Sequence, residues 1–218
     1  MKNLVIIGAG GLAKEVVWVI RDINRNTPTY NILGYLDEES LIGQTINGIN
    51  VIGSDGDLKS ISSANDVWAV VAIREEQIRR RIVEQLDWFG RWATIIHPTA
   101  VVSESSQIGV GSIVFPFSTV GVDATIGKHC FVNIHTMVGH DCSVGDFSSV
   151  LAGSKLCGHV KIGSLSCIST NASILPDIEI GENVVIGAGS VVMKNVESNT
   201  SSFGVPSRVM MSRKPYKE

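Results

Sequence analysis

From Ile96 to Val192 every sixth residue is aliphatic: Val102, Ile108, Val114, Val120 and so on without a slip, seventeen positions that are all Ile, Val or Leu. Four residues after each stands a second slot, and thirteen of sixteen of these, from Ala100 and Ser106 to Ser190, are Ala, Ser, Cys or Thr. Glycine often follows the aliphatic directly, as at Gly109, Gly121, Gly127, Gly139, Gly145, Gly163, Gly181 and Gly187. Neither a helical period of 3.6 nor simple alternation gives a strict period of six. A short strand that inserts one large and one small side chain and then turns does give it, and three such hexads close a triangular coil of 18 residues. The aliphatics then stack down the prism, and glycine is expected at the corners to supply φ > 0 without a Cβ penalty.

Before residue 93 the pattern is different. Leu4–Ile7 reads as a buried strand, Gly8-Ala-Gly-Gly11 as a tight turn, and 12–20 as a helix with Val16, Val17, Val19 and Ile20 on its apolar side. A second strand over 32–36 ends at Asp37-Glu38, and a third over 67–73 precedes a charged helix from Glu75 to about Leu86. Strand, glycine turn, helix, then an acid ending the next strand fits a nucleotide-binding arrangement, in which backbone N–H groups and the helix N-terminus receive a phosphate. The turn lacks the full GxGxxG spacing, and a glycine turn that only packs helix on strand has the same sequence. Fewer than 90 residues also cannot supply both halves of a dinucleotide-binding domain, which argues against a redox NAD enzyme. The chain is therefore divided into an α/β unit over 1–93, an all-β solenoid over 94–197, and a tail over 198–218 whose Arg208, Arg213 and Lys214 form either a solvated end or a basic segment for coenzyme phosphates.

Composition supports the division. The 97 residues from 96 to 192 hold 10 Asp, Glu, Lys or Arg, whereas the other 121 hold 29. A formal net charge of −3 leaves no basic surplus for nucleic acid. Four apolar residues at the N-terminus are too few for a signal peptide, and no stretch approaches the roughly 18 needed to insert in a membrane, so a cytoplasmic location is expected. The four cysteines include no CxxC pair, so neither a disulfide framework nor a zinc site is expected, and no metal is assigned. Cys130 and Cys142 occupy the small slot and are expected to pack the core.

All five histidines lie at or beyond residue 97. His97 reads as a capping or turn residue, while His129, His135 and His159 stand three residues after an aliphatic, in what reads as a surface-facing phase. His140 stands two after Val138, is followed by Asp141, and has Gly158 one coil later. A histidine with a carboxylate neighbour and an empty slot above it can deprotonate an amine or hydroxyl beside a bound thioester, the carboxylate fixing the tautomer. Spacing alone is equally compatible with a solvated turn histidine.

The stretches Ile-Ile-Gly-Ala-Gly-Gly at 6–11, Gly-Tyr-Leu-Asp at 34–37, Val-Ala-Ile at 71–73, Ile-His-Pro at 96–98, Val-Gly-His-Asp-Cys-Ser-Val-Gly-Asp-Phe at 138–147 and Phe-Gly-Val-Pro-Ser at 203–207 resemble bacterial sugar O-/N-acetyltransferases with hexapeptide repeats. That family includes sialic acid O-acetyltransferases and the UDP-4-amino-sugar and GDP-perosamine N-acetyltransferases. The resemblance implies a Rossmann-like small domain plus a left-handed parallel β-helix, arranged as a homotrimer. It implies acetyl-CoA as co-substrate, a nucleotide-sugar acceptor, His140 as general base and Asp141 as its partner. It assigns Gly10, Gly11, Leu12, Asp37, Glu38 and Arg74 to the sugar nucleotide, and Gly158, Thr170 and Ala188 to the coenzyme. Ser149 stands where the bacillosamine branch has a second histidine on the acyl-CoA. The family often has histidine at Leu12 and glycine at Arg74, so an altered sugar pocket is expected. N-acetylation of a nucleotide-activated 4-amino sugar is the favoured reaction. O-acetylation of a sialic acid or other sugar hydroxyl, with Arg74 on a carboxylate, and a non-catalytic trimeric binding protein are the alternatives.

Overall fold

The structure, a computed structural model, describes residues 1–64 and 66–215. The chain forms two compact units that meet at His97–Pro98, four residues beyond the expected boundary of 93. No helix among the described residues is long and apolar enough to cross a membrane.

In the first unit β1 (Lys2–Ile7) is central. It pairs in parallel with β2 (Tyr30–Leu36) on one side and β5 (Val67–Val71) on the other. Leu4, Val5, Ile6 and Ile7 are buried on both faces, as strands of a covered parallel sheet must be. Helix α1 (Gly11–Asn26) runs one and a half turns past the expected end, and its buried Ala13, Val16, Val17, Val19 and Ile20 follow the helical period. Helix α3 (Glu76–Gln85) follows β5 as expected.

An antiparallel pair unforeseen in the sequence extends the sheet: β3 (Thr45–Ile46) and β4 (Ile49–Gly53), with β4 parallel to β2. Its turn is Asn47-Gly48, both at positive φ (51° and 76°), which is the hairpin chemistry the dipeptide encodes. A short helix α2 (Leu58–Ala64) follows.

The second unit is a parallel β-helix. Two-residue strands pair with their equivalents 18 residues on, for example Thr119–Val120 between Val101–Val102 and Met137–Val138. The hexad aliphatics from Val114 to Val192 form one continuous buried core, and Val102 and Ile108 pack against its end. Ile96, the first lattice position, is 38% exposed. Cys130 and Cys142 are buried in the small slot.

The corners differ from expectation. Positive φ falls three residues after the aliphatic, at Phe117, Asp123, His129, His135, Asp141, Phe147, His159, Leu165, Asn171, Asp177 and Asn183, and only three glycines (Gly111, Gly153, Gly189) share that position. Asn, Asp and His tolerate this conformation better than most residues. The glycines directly after the aliphatic serve another purpose: a Cβ at Gly139 would lie 2.8 Å from the Leu156 carbonyl oxygen and 2.9 Å from the Cys157 carbonyl carbon of the next coil. They permit close stacking of backbones rather than an unusual φ.

The corner residues also stack at 18-residue spacing. His129 lies against Phe147 with rings 4° from parallel, and Phe117 against His135 at 14°. His129 is thereby buried, contrary to the surface-facing phase expected of it. The tail is not a loose end. Thr200–Phe203 adds to the sheet beside Val185–Ile186 and pairs antiparallel with Arg208–Ser212. Arg213 turns inward to donate to Asn183 Oδ1.

Candidate active site

The first unit carries a cleft of about 480 Å³ at the carboxyl ends of its parallel strands, where open α/β sheets bind ligands. Ile7, Leu36, Ile73, Ile78 and Ile82 make its apolar walls; Asp37, Glu38, Ser54, Asp55 and Arg81 are among its polar lining. Gly8, rather than Gly10 or Gly11, is the glycine the backbone demands. Its φ is +101°, and a Cβ there would sit 3.0 Å from the Ala72 carbonyl oxygen, whereas the Cβ positions of Gly10 and Gly11 are open.

Gly10 is the N-cap of α1 and provides no side-chain cap, so the helix opens on bare N–H groups. Asp37 is committed to the protein: Oδ2 accepts from Ala9 N–H at 2.5 Å and Oδ1 from Glu38 N–H at 2.7 Å, bracing the glycine turn.

Of the six residues assigned to the sugar nucleotide, Asp37 and Glu38 line the cleft, while Gly10, Gly11, Leu12 and Arg74 are outside its lining. Arg74 is exposed and faces Glu75 at 3.5 Å. Its carbonyl oxygen, with that of Ile73, accepts from the buried guanidinium of Arg79 at 2.9 and 2.7 Å. Ser54, Asp55 and Arg81 were not anticipated. The Ser-x-x-Asp capping box at 54–57 is the signal that marks Ser54 and Asp55, and Ser54 N–H and Oγ hold Asp57 Oδ2 at 2.8 and 3.0 Å.

In the solenoid, His140 and Asp141 sit on one corner. Asp141 is held at φ +56° and its N–H donates to Val122 O. His140 Nδ1–H donates to Asp141 Oδ2 at 2.7 Å. An ionised carboxylate only accepts, so Nδ1 carries the proton and the Nε2 lone pair is left for a substrate. Gly158 lies over the ring as the spacing implied: a Cβ there would stand 2.5 Å from Nε2 and 2.6 Å from Cε1.

The structure adds one residue to the pair. His159, on the next coil of the same corner, has Nδ1 3.9 Å from Asp141 Oδ2 and its ring edge-on to His140, centroids 5.1 Å apart. Its distance in sequence hid it; its register, 18 residues after Asp141, is the signal that locates it. Among the described residues, the ligand atoms of these three lie within 4.8 Å of one another, close enough to hold a metal ion.

Thr170 and Ala188 are exposed, but on the corner that follows the face of Ile168 and Ile186. His140 and Gly158 lie on the corner after Val138 and Leu156, so one chain presents the two sets apart. Ser149 is corrected: its side chain is fully buried and has no surface to offer a coenzyme.

Residues 3–86 match the PglD N-terminal domain family and residues 159–194 the bacterial transferase hexapeptide family of six repeats. A UDP-N-acetylbacillosamine N-acetyltransferase of Bacillus subtilis (strain 168) is 29% identical over 123 residues, 52% of this chain and 51% of that protein. The chain spans about half the length of the curated relatives it matches. A mutant of perosamine N-acetyltransferase from Caulobacter crescentus, solved with CoA and GDP-perosamine, superposes with TM-score 0.90 at 27% identity over 97% of this chain and 98% of that one. The acetyltransferase domain of PglB from Neisseria gonorrhoeae FA1090 superposes with TM-score 0.89 at 31% identity, covering 96% of this chain and all of that domain. A PglD-type α/β unit, a hexapeptide β-helix and this likeness over nearly the whole length lead to one conclusion: the chain belongs to the bacterial hexapeptide-repeat sugar acetyltransferase family.

Proposed function

We propose that this protein transfers the acetyl group of acetyl-CoA to the amino group of a nucleotide-activated amino sugar, with His140 as general base. The observation that carries the reading is the His140–Asp141 pair beneath Gly158: Nδ1 lies 2.7 Å from the carboxylate, which favours the tautomer with its lone pair on Nε2, and Nε2 stands beside a residue with no side chain. His140 Nε2 takes a proton from the amine as nitrogen attacks the thioester carbonyl. Asp141 stabilises the imidazolium that forms, and CoA leaves as the thiolate, to which the same proton can return. The proposed step has no acyl-enzyme: His140 Nδ1 is bonded to Asp141 rather than to a thiol, and the small-slot thiols Cys130 and Cys142 are buried, burial pushing the Cys142 thiol pKa up.

The α/β cleft holds the nucleotide, with Glu38 lining it, Asp37 bracing the turn, and the bare N–H groups from Gly11 and Leu12 at the helix start suited to a phosphate. Arg74, exposed and 3.5 Å from Glu75, presents its guanidinium to an anionic group of the donor or acceptor. The separation of His140 and Gly158 from Thr170 and Ala188 on different corners supports a homotrimer, in which one chain supplies the base and its neighbour the coenzyme contacts. The location is the cytoplasm, where acyl-CoA thioesters and nucleotide sugars are made.

The test is a panel of UDP-, GDP-, dTDP- and CMP-linked amino sugars and sialic acids, incubated with acetyl-CoA and analysed by mass spectrometry for the acetylated product. An N-acetylated nucleotide sugar is expected. O-acetyl product alone, or no product from any acceptor, would overturn the reading.

A further inference from the structure

We infer that His140, Asp141 and His159 form a binding site for a divalent transition ion of the zinc class, and that its occupancy switches the general base off. The three side chains converge from two adjacent coils. His140 Nδ1 and His159 Nδ1 face the same carboxylate oxygen, Asp141 Oδ2, at 2.7 and 3.9 Å. Two imidazoles and one carboxylate are ligands that zinc, copper and nickel prefer, and not a set suited to magnesium or calcium.

Zinc bonds of about 2.0–2.2 Å in a tetrahedral arrangement hold neighbouring ligand atoms roughly 3.3 Å apart. The two separations to Asp141 Oδ2 straddle that distance and all the ligand atoms lie within 4.8 Å of one another, so exposed side chains need shift only on the order of 1 Å to close around an ion. Backbone bonds fix the base of the site: His159 N–H donates to His140 O at 3.0 Å, and Asp141 N–H to Val122 O at 2.9 Å. Ligands carried on a rigid scaffold lose little freedom on binding. The nearby cation, Lys161, is paired with Glu179 at 2.7 Å, and Asp177 follows His159 in the corner column, so the local field does not oppose a dication.

The ion takes the Nδ1 lone pair of His140. The proton that Nδ1 carried passes through solvent to Nε2, so the imidazole stays neutral and no net proton is released by this residue. Nε2 then bears hydrogen and has no lone pair for the amine. Ion binding itself stands apart from the proposed reaction; only the loss of turnover rests on His140 being the base.

Cobalt(II) and zinc titrations of the untagged, chelator-stripped full chain, without coenzyme, test the site. One ion per chain is expected, with a cobalt visible spectrum of an imidazole–carboxylate site that zinc displaces. His159→Asn and Asp141→Asn keep residues that tolerate the left-handed corner, and each is expected to weaken binding by at least the roughly 10–100-fold seen for lost ligand support. Their melting temperatures, compared with the unsubstituted protein, show that the fold is kept. Equal zinc affinity in the protein and both variants, or no saturable binding, overturns the inference. With an accepted acceptor, zinc should halt formation of the acetylated product, measured by mass spectrometry, and a chelator should restore it. Tight zinc binding without loss of product would refute the switch while leaving the site intact.

Discussion

Gly158 separates the effect of the base's position from the stability of the fold. In Gly158→Ala the new methyl group would start 2.5 Å from His140 Nε2, 2.6 Å from Cε1 and 3.2 Å from Cδ2. Unbonded heavy atoms settle at about 3.5–4.0 Å, so the ring must move by about 1 Å. The ring is exposed and no backbone atom obstructs the methyl as closely, so the melting temperature should change little. A displacement of that size in a catalytic group lowers turnover on the order of 10²-fold.

Gly139→Ala, one residue before the same histidine, provides the contrast. Its methyl would meet the Leu156 carbonyl and the Cys157 backbone, which cannot swing aside. A loss of about 1–3 kcal/mol in unfolding free energy is expected there, read from denaturant midpoints. The assay follows product formation and thermal melting for both variants. Wild-type kcat in Gly158→Ala would refute the placement of the imidazole. A loss confined to a raised KM for acetyl-CoA would mean that Gly158 acts on the coenzyme instead of the base.

Three further outcomes follow from the geometry. Asp141→Asn keeps a residue suited to φ +56° but removes the carboxylate charge that stabilises the imidazolium beside Nδ1, so kcat should fall by roughly 10²–10⁴-fold with the fold retained, by steady-state kinetics and circular dichroism. Titration with a thiol reagent should modify the half-buried Cys157 and Cys167 well before Cys130 and Cys142, both of which are buried, with Cys142 further protected by the upward push of burial on its thiol. The backbone and hydroxyl bonds from Ser54 lower the Asp57 pKa from its ordinary value of 3.8. A lowered folded value means that the group stabilises the fold above that ordinary value and ceases to as pH falls through the folded one. Asp57→Asn should therefore melt below the unsubstituted protein at pH 7, and thermal scans in increasingly acidic buffer should bring the two together.

The solenoid was largely legible because a parallel coil repeats one environment every six residues, and the chain from Val102 to Val192 shows it. What the pattern did not reveal is which slot bears the strained backbone. Glycine is the usual mark of positive φ, yet Asp141, His159 and most of their equivalents occupy that conformation, and the glycines directly after the aliphatics serve backbone approach instead. His129 departs from its phase for a related reason: the position points outward, but the ring stacks on Phe147 and is buried.

His140 and Asp141 were legible as neighbours in sequence. His159 became part of their site only through the 18-residue register, which brings one coil's corner onto the next. In the α/β unit the order of strands and helices was readable, but Asp37 turned out to brace Ala9 and Glu38. The hairpin at Asn47-Gly48, marked by a strong local signal, was missed because its strands are too short to show a pattern.

The central claim is that His140 removes the proton during acetyl transfer, and His140→Ala tests it most directly. With the best nucleotide amino-sugar acceptor at saturating acetyl-CoA, the substituted protein should retain its melting temperature and its affinity for the sugar nucleotide. Its kcat should fall by roughly 10²–10⁴-fold, the range lost when a positioned general base is removed. A folded His140→Ala protein that turns over at close to the unsubstituted rate would contradict the account.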